Sequence, residues 1–536
     1  MRRCRAPARF VLAFAVAATG CSRCGRVPAQ APDVSRWVPA DCELAVVVPS
    51  TGALGEKLKV LEGLKVASFL AQLQGFADAP GYAAALVGQL GVDVRSREAL
   101  AAAGLDPAGG LAVAVLHDRN PYTVLATSDV GKLERFLQGL ARDRLGAGVA
   151  TSREAGGVKV TEFAAAAGGP ARLGFVAKDG IAIIAAESAV AGLASYAALP
   201  EDKALSKSAA LAASLSRLPA SRDLFVYVPP ASKLAEAAPV GGAVVAVALS
   251  PEALTLTADL PSTLDPAAAG AFQVQPGPDL LPYLPADAVV ALRFSGDVQG
   301  AAPYWATLVG PFLARALDDA KVDVKAEVLA NLKPGLVMAL AIAPEAKLAA
   351  GMPALDLRRT NPFRYVHLSA LAEVIDPVKG AATLDRLPAL APRFGAKIDA
   401  ADRAGQRVFL TTYSQGDGVD FALRDNRVVA AAPQLRLDQL LGRLGKADAP
   451  VPGLVSDSAL KAAFDGHALA AVVDLRQLSV SVRELPSEAW GVGGFAYKAS
   501  TVRWLDATDD LRAVLFSVDA KAKVLQAQLT LRFQKK

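Results

Sequence analysis

The feature that most constrains this chain is that it repeats itself once, in order, over almost its whole length. Trp37-Val-Pro-Ala-Asp41 and the strand-like Glu43–Val48 return as Tyr283-Leu-Pro-Ala-Asp287 and Ala288–Phe294. Val92-Asp-Val-Arg95, Leu105-Asp-Pro107 and the apolar Leu111–Leu116 are matched by Val322-Asp-Val-Lys325, Leu332-Lys-Pro334 and Leu336–Ile342. Further on, Phe175–Asp179 with Ile181–Ala186 correspond to Phe421–Asp425 with Arg427–Ala432. Both copies also close alike. A Ser/Ala-rich helical stretch (Ser206–Leu215, Ser456–Phe464) leads to an apolar strand (Leu224–Val228, Ala468–Val473). A final strand pair follows, Val244–Leu249 with Leu254–Leu260 in one half and Ala513–Val518 with Val524–Phe533 in the other.

A period of about 240 residues is too long for a solenoid unit, so each copy is expected to be a domain with its own core. The expected division is residues 1–20, a tether over 21–36, a first repeat domain over 37–262, a linker over 263–281 and a second repeat domain over 282–536. The linker lies in a Pro/Gly/Ala-rich stretch, the composition that punctuates chains between domains. The second copy carries extra segments at Lys347–Arg359 and near Glu488–Tyr497.

Within each copy, short β-branched runs bounded by Gly/Asp turns alternate with Ala/Leu-rich helical stretches. Asp179-Gly180, and Asp425-Asn426 at the same place in the second copy, read as tight hairpin turns. Asp129 before apolar residues at helical spacing reads as an N-cap. The expected class is therefore α+β: two tandem homologous domains, each a mainly antiparallel sheet with helices packed on one face. The nearly uncharged Val298–Ala314 approaches membrane length, but Pro303 and Pro311 interrupt it, so a buried helix is expected.

The N-terminus carries an address. Arg2, Arg3, Arg5 and Arg9 precede the apolar Phe10–Ala18, which is about half the ~20 residues of a spanning helix. That order is a secretory signal. Its exit, Ala18-Thr19-Gly20-Cys21, resembles the lipobox of bacterial lipoproteins, with Ala where the family usually has Leu. The resemblance implies cleavage before Cys21 and lipidation of Cys21, hence attachment to a membrane. In that family Asp after the cysteine favours inner-membrane retention. Ser22 here leans toward the outer membrane facing the periplasm, with the inner membrane and the cell surface as alternatives. An ordinary signal peptide, with Cys21 in a disulfide, is the competing reading.

Loss of residues 1–20 removes four arginines and no acid, which lowers the formal net charge from +5 to +1. The mature body therefore lacks the basic excess that nucleic acid or anionic lipid would call for. Of the four cysteines, Cys4 leaves with the signal, and Cys24 and Cys42 stand either as a disulfide or as separate thiols, Cys42 on an apolar strand.

Chemistry-bearing patterns are sparse. The three histidines, His117, His367 and His467, have no histidine counterpart in the other copy, and His117 and His367 each adjoin an apolar strand. No metal-ligand spacing, Walker A loop, nucleophile elbow or strand-linked GxGxxG occurs. Gly491–Gly494 reads as a loop with no helix signal after it, and Asp509-Asp510 as a turn between two strands. Asp41 and Asp287 are expected to satisfy backbone groups where a strand starts. No cofactor, metal or catalytic residue is expected.

The body from about Trp37 onward resembles duplicated bacterial envelope lipoproteins of the domain-of-unknown-function type, whose halves each begin with Val/Leu-Pro-Ala-Asp. The resemblance implies a place and an architecture and no activity. The expected function is a non-enzymatic, membrane-tethered binding or structural module, with envelope proteins or an apolar ligand as partners. The first alternative is a carrier or sensor of an apolar ligand such as a lipid. The second is an envelope hydrolase. A continuous apolar cavity of several hundred Å³ would favour the carrier.

Overall fold

The computed structural model describes residues 32–534 apart from 118–119, 237–240, 262–268, 303–322, 344–364, 404, 414–415, 445–457, 491–493 and 522–523. The signal peptide, Cys21, Cys24, most of Val298–Ala314 and the Lys347–Arg359 segment lie outside the described residues. The chain divides into two compact units, Met1–Thr263 and Leu264–Gln534. The architecture is helices with extensive antiparallel sheet, an α+β arrangement.

Among its described residues the first unit has ten strands: β1 Leu44–Val48, β2 Leu111–Val115, β3 Pro121–Ala126, β4 Val149–Ala155, β5 Val158–Ala164, β6 Ala171–Lys178, β7 Ile181–Ala186, β8 Leu224–Val228, β9 Ala243–Leu249 and β10 Ala253–Pro261. They pair antiparallel in the order β4-β5-β6-β7-β3-β2-β1-β8-β9-β10. Five principal helices lie between them: α1 Thr51–Glu62, α2 Lys65–Leu73, α3 Ala79–Leu90, α4 Arg97–Ala102 and α5 Val130–Leu145. A sixth, α6 Ala209–Arg217, precedes β8.

Local chemistry explains the element ends. Side chains of Ser50, Asp78, Ser96, Asp129 and Ser208 each accept a backbone N–H at the start of α1, α3, α4, α5 and α6. Gly91 and Gly146 close α3 and α5 in the left-handed conformation. The β6–β7 turn has Asp179 and Gly180 at φ of 51° and 75°, the geometry a two-residue hairpin requires.

Helices were expected on one face of the sheet, and both faces are covered. Val47, Ala112, Val124, Ile183 and Phe225 pack with Trp37 and Leu211 on one side. Val48, Leu111, Val113 and Leu125 pack with Leu54, Leu133 and Leu137 on the other. The central strands are therefore continuous apolar runs (Leu-Ala-Val-Val-Val, Leu-Ala-Val-Ala-Val) and not alternating ones.

The second unit has β11 Ala288–Phe294, β12 Leu336–Ile342, β13 Val366–Glu373, β14 Ala396–Arg403, β15 Gln406–Tyr413, the two-residue β16 Gly416–Asp417, β17 Asp420–Arg424, β18 Arg427–Ala432, β19 Leu469–Asp474, β20 Leu511–Lys521 and β21 Val524–Phe533. Its antiparallel order is β14-β15-β17-β18-β13-β12-β11-β19-β20-β21, with β16 paired on β15. Strand for strand this is the order of the first unit. Helices α7 Pro377–Leu384 and α8 Gln434–Leu444 follow β13 and β18. Helices α9 Leu475–Glu484 and α10 Gly494–Ala507 stand between β19 and β20, where the first unit has, among the described residues, the short helix Lys233–Glu236.

Two expectations are corrected here. Asp509-Asp510 joins α10 to β20 and is not a strand-to-strand turn. A helix does follow the Gly491–Gly494 cluster; its aromatic and β-branched content hides the usual apolar periodicity. The stretch read as linker also packs into the second unit from Ala269 onward. Ala271, Leu280 and Leu281 are buried, and Ala520 N–H donates to Phe272 O.

Candidate functional site

A groove of 630 Å³ lies among α1, α2 and α3 of the first unit. Its walls are apolar, formed by Leu61, Leu70, Leu73, Leu86, Leu90 and Val94 among others. Two glycines let α1 pack closely on neighbouring backbone. A Cβ on Gly55 would fall 2.3 Å from Val94 O, and one on Gly52 would fall 2.6 Å from Pro107 O. Ser68 Oγ accepts from Ala79 N, and the Phe76 ring meets Tyr82 edge-on at 5.0 Å, which ties α2 to α3. Leu70 and Leu73 remain 53% and 58% exposed on the groove wall. Two large apolar side chains are thus left exposed side by side within a concavity.

Charged residues gather at one part of the lining. Arg95 donates to both carboxylate oxygens of Asp93, at 2.7 and 2.9 Å, and to Glu62 Oε1 at 2.6 Å. The guanidinium holds the Asp93 carboxyl below its usual range.

The histidines are each held in a polar pair. His117 Nδ1 lies 2.6 Å from Glu43 Oε1, and Glu43 also accepts from Ser232 Oγ at 2.8 Å and Lys233 N at 2.9 Å. The hydrogen bond from His117, then that from Ser232, lowers the Glu43 pKa; Glu43 in turn raises that of His117. Serine and histidine thus share one carboxylate, and the histidine does not stand between serine and acid as a catalytic base would. His367, on β13, accepts from Arg436 Nε at 2.9 Å. Arg436, buried on α8, also donates from Nη1 to Asp287 Oδ1 at 3.0 Å and to Gln439 Oε1 at 3.1 Å, and from Nη2 to Asp287 Oδ2. Asp287 was expected to cap backbone at a strand start; it forms an ion pair instead, because a buried guanidinium needs a carboxylate more than an exposed turn does.

His467 Nδ1 lies 2.6 Å from Asp519 Oδ2, whose other oxygen accepts from Ala468 N at 2.8 Å. The first unit builds the same corner from the opposite strand. Asp223, just before β8, accepts from Leu249 N at 2.8 Å and pairs with Lys57 at 2.5 Å. Because the carboxylate changes strand, no aligned residue betrays this correspondence in the sequence.

Cys42 is a buried thiol whose pKa burial pushes up to about 12. Its pairing with Cys24 lies outside the described residues. Asp179 and Asp425 are turn residues with positive φ. Among the described residues no group of three or more His, Cys, Asp or Glu is placed to hold a metal ion. Nor, among them, is any helix long and apolar enough to cross a membrane.

No protein-family model matches the chain, and no curated protein matches it. Solved structures similar to part of it include three crystal forms of TP0453. Form III has a TM-score of 0.25 at 11% identity, over 47% of this chain and 79% of that one. Form I has 0.24 at 8%, over 44% and 80%. Form IV has 0.26 at 11%, over 47% and 81%. Similarity at this level carries no argument about fold or function.

Proposed function

We infer that this chain is a lipid-anchored envelope protein of two duplicated domains that binds an apolar ligand and catalyses no reaction. The observation that carries the ligand reading is the 630 Å³ apolar groove of α1–α3, within the ~300–1,000 Å³ of small-molecule sites. The shared strand order of the two units, added to the repeated phrases, supports duplication. The lipobox-like Ala18–Cys21 supports the anchor, and Ser22 supports an outer-membrane address facing the periplasm. The reading that it catalyses no reaction is supported by histidines that are engaged in polar pairs and are not among the groove-lining residues. The wider reading, a structural module that works through its surfaces, shares the anchor and the architecture but leaves the groove without a role.

Native mass spectrometry of the detergent-extracted protein tests both halves. A mass beginning at a multiply acylated Cys21, with a co-purifying apolar adduct, is expected. An unmodified N-terminus elsewhere overturns the anchor. An adduct-free protein that also refuses added amphiphiles overturns the ligand reading.

A further inference from the structure

Only Glu62, Asp93 and Arg95 among the groove-lining residues are charged, so two carboxylates face one guanidinium. These side chains are 24%, 32% and 21% exposed, wet enough to meet a ligand and confined enough for charge to matter. Arg95 is aimed by its bonds to Asp93 and Glu62. Those three bonds use three of the five N–H groups of a guanidinium, which leaves two donors for a further acceptor.

A free fatty acid would bring a third carboxylate to lining already one negative charge in excess. A head without charge could accept from the spare donors through a neutral oxygen but would leave the excess negative charge unmatched. A head with one phosphate and one ammonium matches both, the phosphate oxygen on Arg95 and the ammonium near Glu62 and Asp93.

Resting on the apolar-ligand reading above, we propose that the groove takes an acyl chain of a zwitterionic aminophospholipid, with Arg95 and the Glu62/Asp93 pair as its specificity-determining residues. The chain lies along Leu61, Leu70, Leu73, Leu86 and Leu90, and the head stays at the charged part of the lining.

The detergent-extracted full chain is incubated with an equimolar mixture of lysophosphatidylethanolamine, lysophosphatidylglycerol and palmitic acid, and adducts surviving collisional activation are counted by native mass spectrometry. At least tenfold preference for lysophosphatidylethanolamine is expected. In Arg95→Gln that preference should fall below threefold, and Glu62→Gln should shift occupancy toward lysophosphatidylglycerol. A Leu70→Ser/Leu73→Ser chain should lose adducts of all three, which separates groove binding from lipid held at the anchor. Equal occupancy by the three amphiphiles, or a preference that survives in Arg95→Gln, overturns the head-group assignment while leaving the groove reading intact. No adduct of any kind overturns the groove reading itself. Circular dichroism of each variant checks that it has folded.

Discussion

Leu70 and Leu73 offer a way to test the groove with little risk to the fold. Both sit on α2 with more than half their surface in water, so changing them to serine removes little of the folded core. A ligand in the groove would cover that exposed half. Full burial of a leucine side chain is worth about 1.5–3 kcal/mol, so half is worth about 1 kcal/mol and the pair about 2 kcal/mol. At 1.4 kcal/mol per factor of ten, the double variant should bind about 30-fold more weakly. The assay is fluorescence titration with the neutral probe N-phenyl-1-naphthylamine, on a chain also carrying Cys21→Ala so that detergent is not needed. The urea midpoint of the double variant should lie close to that of its parent. An unchanged Kd in a folded double variant would refute the reasoning, since it would mean the probe sits somewhere other than on this wall.

Other outcomes follow from the polar pairs and the packing. Arg436→Ala removes a donor to the buried His367 and the guanidinium paired with Asp287, and should cost the second unit about 3 kcal/mol in urea denaturation, at the low end for a broken buried pair because Asp287 is partly wetted. His117 has a raised pKa in the folded state, so its contribution is complete below pH ~6.5 and fades as pH rises through the folded value. Glu43, with a lowered pKa, loses its contribution only as pH falls below the ordinary carboxylate range. Thermal melts above pH ~6.5 should therefore decline for the wild type and stay flatter for His117→Asn. Cys42 should resist alkylation in the native, reduced protein and react on unfolding, as peptide mapping of the labelled cysteine would show. Gly55→Val should cost about 1–3 kcal/mol and weaken probe binding, because its side chain collides with the Val94 carbonyl beside the groove.

Much of the secondary structure was legible from local chemistry. Strands β7, β8, β11, β12, β18 and β21 begin and end where the apolar runs do, and Asp129 caps α5 as its position suggests. The Asp179-Gly180 turn needed only two residues to recognise. Legibility failed where the signal was compositional. Pro, Gly and Ala between 269 and 281 look like a linker, yet they pack against the second unit. Two-sided burial of the sheet was also missed, although uninterrupted apolar runs in β1 and β2 were its trace.

The groove and the polar pairs were not legible. Leu61, Leu70 and Leu86 look like any amphipathic-helix residues until the helices are placed, and the space left between them has no sequence signature. Glu43 finds Ser232 across 189 residues, and Arg436 finds Asp287 across 149. By itself the sequence determined the apolar strand runs, the Asp129 cap and the Asp179-Gly180 turn, because these depend on neighbours within a few positions. Only the tertiary structure decided which carboxylate meets which cation and where an apolar surface stays uncovered. Those outcomes depend on packing between segments far apart in the chain, where burial makes an unpaired charge costly and leaves the choice of partner to geometry.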